Sequence, residues 1–448
     1  MIFTSSLKFN LISGKLRFLL DGLFSMGNMC KVLLMYSFVM HLIFILFIYH
    51  SNYPASEFSV IKYNTTASND RSTNINHIVF GLFGSEKSWH RRRLYAESWW
   101  CPNMTRGYIY LDEPPKGDLL PWSSSSPPYR VSDQYFTKLL VELHHLQPVP
   151  TRIVHGIMEV FRDENGDMRW LVIGDDDSIF LVDNLVDVLS EYDHTKYYYL
   201  GGQSEFILSN FYLSFDQGFG GGGLILSYPL AKALSQDMGN CLQRYAELKF
   251  SDQIIMKCIA DIGVSLSPHK GIHQIDLRGD ISGFLSAHPQ APLISLHHLD
   301  EVKPIFPSKG GYESALHLMK AASFDQSRML QQTICYDRQT NWSFSISWRS
   351  LSTDPCEAPH VFFLETVEKT SSNEIRTVYS RANPRGLPVC SLNANHSADF
   401  ISRIEVFSPT TKRVETGRCE CCDIVNPGAL IGTAKVIVRQ CRTDEIIA

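Results

Sequence analysis

Net positive charge is missing from this chain: its 448 residues carry 41 Lys and Arg against 46 Asp and Glu, a formal charge of −5. That excludes a nucleic-acid binder relying on a broad cationic face. Self-similarity at a fixed period is absent as well, which removes solenoids and propellers. No Gly-Lys-Ser/Thr closes a Walker-type phosphate loop, and no dinucleotide fingerprint occurs. A second Cys cluster with zinc-finger spacing is also lacking, so Cys419-Glu420-Cys421-Cys422 reads as disulfide partners rather than as a zinc site. What remains is ordinary globular composition, 44% hydrophobic and 19% charged. At roughly 100–200 residues per domain the length accommodates two or three units.

Long apolar runs are scarce, with one exception. Val32–Tyr49 contains no formal charge; as a helix it spans roughly 27 Å, close to the bilayer core. Lys8, Lys15, Arg17 and Lys31 precede it, against Asp21 alone. The positive-inside rule then assigns 1–31 to a cytosolic tail and 32–49 to a transmembrane anchor. A cleaved signal peptide is the alternative, but this apolar run exceeds a usual h-region of ~7–15 residues. Beyond the anchor lie ten Cys, an even number, and the sequons at Asn64, Asn103, Asn341 and Asn395. Both features fit an oxidising lumen.

Residues 50–76 are polar and rich in Ser, Thr and Asn, the composition of a stem. From 77 to 330 apolar strands alternate with helical stretches, which predicts an α/β sheet. Strands are expected at 77–82, 107–111, 170–174 and 197–200, with helices over 133–146 and 179–191. From 331 to 448 the pattern changes to alternating strands, as in 342–348, 361–366, 403–407 and 435–439. Seven of the ten Cys lie there, which predicts a disulfide-rich, mainly β unit.

Several constellations could carry chemistry. Asp175-Asp176-Asp177 follows the apolar strand Trp170–Gly174 directly. Adjacent carboxylates repel unless cations or donors compensate, and a hard divalent cation does so. Taken alone, an acidic triplet is as readily a helix-start device, but its place at a strand's carboxyl end favours a ligand site. Gly220–Gly223 permits close backbone approach, or is simply a flexible turn. Asp252 opens an apolar helical stretch, as a cap or as a catalytic base. Cys241 and Cys258 flank it, and a disulfide between them is expected. His297-His298 is either structural or completes an oxygen-rich metal site.

In their order along the chain these segments resemble one family. His90-Arg91-Arg92-Arg93-Leu94 with Trp99-Trp100, Arg106 and Asp112 resembles the first βαβ unit of Fringe-like proteins. Trp170–Phe180 resembles their WF-x-G-DDD-T-x-F strand, and Gly220–Gly223 stands where they carry Gly-Gly-Ala-Gly. Ser251-Asp252 preceding Cys258, Leu296–Asp300 and Pro304–Pro307 resemble further segments of the plant Fringe-like branch, a domain of unknown function related to the β-1,3-galactosyltransferases of glycosyltransferase family 31. Gln253, where a second acid is frequent, and Cys101, in place of Arg, depart from the pattern.

The resemblance implies a GT-A fold over 77–330 in a single-pass type II Golgi membrane protein. It implies inverting transfer of a hexose or N-acetylhexosamine from a UDP-sugar to a glycan or glycoprotein, as a β-1,3 link, with Mn2+ as cofactor. Carried over, Asp175, Asp177 and His298 are the metal ligands, with His297 as the alternative to His298. Asp175, Asp176, Gly221 and Gly222 face the nucleotide sugar, and Asp252 is the general base. The competing expectation is an inactive GT-A-fold sugar-binding or scaffold protein. A secreted metal-dependent hydrolase is a third reading.

Overall fold

The computed structural model describes the chain from residue 72 to 445, together with Met40. Left undescribed within that span are 145, 164–165, 282–283, 286–290, and, after 330, 331–332, 338–341, 345–353, 357, 359, 382–385, 391–397, 414–419, 426–431 and 443–444. The expected anchor, Met40 apart, and the stem up to residue 71 lie outside the described residues. Among those described, no helix is long and apolar enough to cross a membrane. Arg71–Ala448 forms one compact unit, to which everything below refers.

The protein is mixed α/β. β1 (Ile78–Phe83) is the expected first strand and is buried at every position. Ser85 caps α1 (Glu86–Glu97) through the Ser88 amide, with a reciprocal Ser88 contact. The chain continues through β2 (Arg106–Leu111), β3 (Tyr129–Val131), α2 (Gln134–His144) and α3 (Pro148–Asp163) to β4 (Trp170–Asp175). After β5 (Ile179–Phe180) come α4 (Val182–Ser190), β6 (Tyr199–Gly201), α5 (Ile207–Tyr212), β7 (Leu224–Ser227), α6 (Tyr228–Arg244) and α7 (Ser251–Asp261). β8 (Leu266–Pro268), β9 (Ile272–His273), β10 (Ser295–Leu296) and α8 (Gly311–Ala322) complete this part.

The main sheet has the order β3-β2-β1-β4-β7-β6-β8. β1 runs parallel to β2 and β4, whereas β7 is antiparallel to both its neighbours. Both faces are covered. Ile78, Phe80 and Leu82 pack in a cluster with α1 and α4, while Val79 and Phe83 pack in a second with α3, α6 and α7. That two-sided burial is why these strands read as continuous apolar runs rather than as alternation. Gly156 lets α3 sit close on β1, since a Cβ there would overlap the Phe83 ring.

One expectation needs correction. The helix expected over 179–191 starts only at Val182, because Ile179 and Phe180 form β5, pairing antiparallel with β10. Both side chains are buried there, and the Leu181 amide donates to the Ile294 carbonyl at 2.8 Å. Tertiary pairing outweighs local helical periodicity at this point.

A second seven-stranded sheet, β12-β11-β16-β17-β15-β14-β13, takes all its strands from 333 to 439. They are β11 (Thr333–Asp337), β12 (Trp342–Phe344), β13 (Phe363–Ser371), β14 (Glu374–Ser380), β15 (Arg403–Pro409), β16 (Glu420–Val425) and β17 (Thr433–Arg439). The strand expected over 342–348 is seen as β12, its remainder lying outside the described residues. Disulfides join Cys241–Cys258, as expected, and Cys356–Cys390 and Cys421–Cys441. Cys422 is disulfide-bonded too, so Cys421 and Cys422 are not zinc thiolates.

Candidate active site

The site lies at the carboxyl end of β4, where the parallel strands β1 and β4 finish side by side at Phe83 and Asp175. Ser178 builds the turn holding the triplet. Its hydroxyl accepts from the Asp175 amide at 2.7 Å and donates to the Gly221 carbonyl at 2.7 Å. Trp99 Nε1 donates to the Ser178 carbonyl at 2.9 Å. A fully buried hydroxyl thus ties the acidic turn to the glycine loop.

The three acids have different environments. Asp176 turns toward α1, where Ser88 Oγ donates to it and Arg92 meets it at 3.1 Å. Gly84 makes room, since a Cβ there would come within 2.7 Å of the Asp176 carboxylate. Asp177 is buried between His297 Nε2 at 3.1 Å and Arg92 at 3.3 Å. Arg92 also grips Asp300 at 2.9 Å. Asp175 keeps 38% of its side chain exposed, although protein surrounds it on most sides, and it lies 3.6 Å from His297 Nε2.

Electrostatics follows. Burial pushes Asp175 up to about 7, against the pull of His297 and with help from Asp177 and Asp252. Burial works the same way on Asp177, but His297 and Arg92 outweigh it and hold that carboxyl far below the usual range. Burial disfavours the His297 imidazolium, yet Asp177 and Asp175 raise it to about 9. Among the described residues, Arg92 pairs with Asp176, Asp177 and Asp300, His297 lies against Asp175 and Asp177, and the Arg152 guanidinium is within electrostatic reach of Asp175 and Asp176.

The residues fit a divalent cation. A carboxylate oxygen of Asp177 and one ring nitrogen each of His297 and His298 lie within 4.8 Å of one another. Asp177 Oδ2 and His297 Nδ1 are buried and have no hydrogen-bond partner among the described residues. Asp276 accepts from His298 Nδ1 at 3.1 Å, orienting that ring in the way carboxylates orient ligating imidazoles. The rings of His297 and His298 lie with centroids 3.7 Å apart, tilted by 31°. Of the residues expected as ligands, Asp177 and His298 fall in this trio with His297, the stated alternative; Asp175 sits beside it, and Asp176 faces Arg92. The grouping of Cys421 and Cys441 with Glu445 is no metal site, because both thiols are in a disulfide.

The glycine loop is a packed element rather than a flexible turn. A Cβ on Gly220 would come within 2.6 Å of Asp252 Oδ1, and one on Gly221 would overlap the His297 ring. The Gly222 amide donates to Gln274 Oε1 at 2.6 Å, Ser295 Oγ donates to the Gly222 carbonyl, and Gly223 has φ +110°. Asp252 is not the cap of α7: that position is Phe250, which makes no side-chain capping bond. Its carboxylate instead faces the Gly220 amide, and burial, partly offset by that amide and by His297, raises it to about 6. Sequence reasoning missed Arg92, Asp276 and the buried Glu205, which accepts from His273 Nδ1 at 2.8 Å and from the Ile275 amide at 2.7 Å. Arg92 stands in the His90–Leu94 segment, whereas Asp276 and Glu205 lie outside every segment singled out in the sequence; the fold brings Arg92 to the triplet and Asp276 to His298.

A family model matches residues 209–349 and 349–422. Its description is a protein of unknown function, DUF604. The DUF604 match takes in the glycine loop, Asp252, Asp276 and both histidines, while the acidic triplet precedes it. No curated protein matches. Among solved structures the chain is similar to a mannosyltransferase from Pyrobaculum calidifontis in complex with GDP-mannose and Mn2+, at 11% identity and a TM-score of 0.29 over 54% of this chain and 68% of that one. It is similar to the galactosyltransferase LgtC with donor and acceptor sugar analogues, at 10% identity and 0.29 over 47% and 78%. Mouse xyloside xylosyltransferase 1 gives 11% identity and 0.24 over 46% and 85%.

Proposed function

We propose that this chain is an inverting glycosyltransferase of GT-A type, moving a hexose or N-acetylhexosamine from a UDP-sugar to a glycan or glycoprotein, with a β-1,3 link as the expected product. One observation carries the reading. Two adjacent glycines bring together a carboxylate of raised pKa, Asp252, against Gly220, and His297, of the candidate metal trio, against Gly221. A metal-dependent transferase needs these two functions next to each other but distinct. The ordered Fringe-like motifs point the same way.

Asp177, His297 and His298 would hold Mn2+, which when bound offsets diphosphate charge on the leaving group. Arg92 keeps Asp176 and Asp177 from repelling each other before any cation arrives. Ser178 fixes the triplet relative to the glycine loop. Asp252 takes the proton of the attacking acceptor hydroxyl, and a value near 6 leaves it mostly ionised at neutral pH. A single displacement by that hydroxyl inverts the anomeric carbon, with no covalent sugar on the protein. By the anchor, its basic flank and the sequons, the proposed location is the Golgi membrane, type II, with the catalytic part in the lumen.

Calorimetry on the full chain in detergent tests the donor side. Asp177→Ala should abolish Mn2+-dependent UDP-sugar binding. Unchanged binding of both would remove the metal-site reading of the triplet and, with it, most of the catalytic case.

A further inference from the structure

The short helix α5 is inside out. Its one buried residue is the polar Asn210, while Ile207 (61% exposed), Phe211 (70%) and Tyr212 (75%) face solvent. Phe206, Leu208 and Phe215 are exposed beside them. No ordinary folding term favours this arrangement, and concentrated apolar exposure marks a binding surface.

The segment is rigidly founded on the site. Asn210 exchanges two hydrogen bonds with the backbone of Ser204, at 3.0 and 2.7 Å. Ser204 Oγ in turn donates at 2.6 Å to Asp276, the carboxylate that orients His298. Gln203 Nε2 donates to the Phe215 carbonyl at 2.7 Å, and the Phe219 amide to the Gly202 carbonyl at 3.0 Å. These contacts close the loop at its base, in the manner of a compact Ω-loop. Its outgoing end runs straight into Gly220, which touches Asp252. One end of the apolar loop is therefore anchored at the metal-trio side of the site and the other at the base.

We propose that Phe206–Phe215 is the platform on which a neutral glycan acceptor lies while its hydroxyl reaches Asp252. Residues 206–215 contain no Lys, Arg, Asp or Glu. That suits an uncharged saccharide, whose C–H faces stack on aromatic rings, and it does not suit an anionic lipid surface, which attracts basic segments. Phe211 and Tyr212 present edge-to-face rings 5.5 Å apart, a pair of differently oriented aromatic faces on one short helix. The assignment of the occupant as acceptor rests on the glycosyltransferase reading; the saccharide-binding surface itself does not.

The test is saturation-transfer NMR on the full chain in detergent, with lactose, cellobiose, mannobiose and N,N′-diacetylchitobiose as probes. At least one probe should receive saturation from the wild type. The double variant Phe211→Ala/Tyr212→Ala should bind that probe roughly tenfold more weakly, and Tyr212→Phe should bind it normally. Both positions are exposed, so thermal stability should not move, and Mn2+-dependent UDP-sugar binding should be unchanged in every variant. If the wild type binds none of the probes, or the double variant binds as well as wild type, the proposal is overturned. It is equally overturned if the double variant keeps saccharide binding but loses self-association or affinity for phosphatidylcholine vesicles. Saccharide binding that follows the expected pattern without any UDP-sugar binding would retain the platform and reject the glycosyltransferase reading.

Discussion

The two seven-stranded sheets solve the same burial problem in opposite ways. In the first, β1 and β4 are buried along nearly their whole length, and helices on both faces supply two large apolar clusters. In the second, β17 alternates buried and exposed positions, β13 has no buried position, and the associated cluster of buried residues is Cys422, Val436 and Val438. There, disulfides at Cys356–Cys390 and Cys421–Cys441 stand in for core. Beside its apolar clusters the first sheet also carries the carboxylates Asp175, Asp176 and Asp177, the last two buried.

The comparison is sharpened most strongly by Asp252→Asn. Transfer should fall roughly 10²–10⁴-fold, the usual contribution of a general base, with Mn2+ and nucleotide binding unaltered. Asp252 sits near 6, so the base is unmade as pH falls through that value. The wild-type rate should therefore drop on the acid side of about 6, and initial-rate pH profiles should show that limb missing from the variant.

Next in size is Arg92→Ala. Removing the one guanidinium that contacts Asp176, Asp177 and Asp300 leaves buried charge uncompensated, a loss of about 3–5 kcal/mol. Denaturant titration should show that loss without divalent cation and a smaller one with Mn2+. Equal stability in both proteins would mean that Arg92 is not the counter-charge of the triplet.

Cys421→Ser/Cys441→Ser breaks the comparison from the other side. Opening a loop of sequence separation 20 should cost about 3 kcal/mol. Hydrogen exchange should then quicken in β16 and β17 while β1 and β4 stay protected; uniform loss of protection would show that the two sheets unfold as one. The smallest effect is expected for Gly221→Ala. The new methyl meets the His297 ring, so a loss of about 1–3 kcal/mol in thermal denaturation is expected, together with weaker Mn2+ binding.

The strands of the first sheet were legible because two-sided burial writes unbroken apolar runs such as Trp170–Gly174. The acidic triplet was legible as a site because it follows a buried strand directly, a position that favours a ligand over helix capping. Helix α3, which opens Pro148-Val149-Pro150, went unread: two prolines are tolerated in a helix's first turn but do not by themselves mark one. The short strand β5 was read as helix because its partner β10 lies more than a hundred residues away.

By itself, then, the sequence determined the class of layers, the Cys241–Cys258 bridge and the list of acids and imidazoles available for chemistry. These depend on residue type and short spacing. Which acid faces which partner was left to the tertiary structure. Asp175, Asp176 and Asp177 are neighbours in the chain and chemically alike. Their separation into a partly exposed acid, an Arg92-bound acid and a His297-bound acid is set by α1, the glycine loop and the segment after β10. Those elements meet only when the sheet assembles, and it is their charges and their exclusion of water that give three identical side chains three different properties.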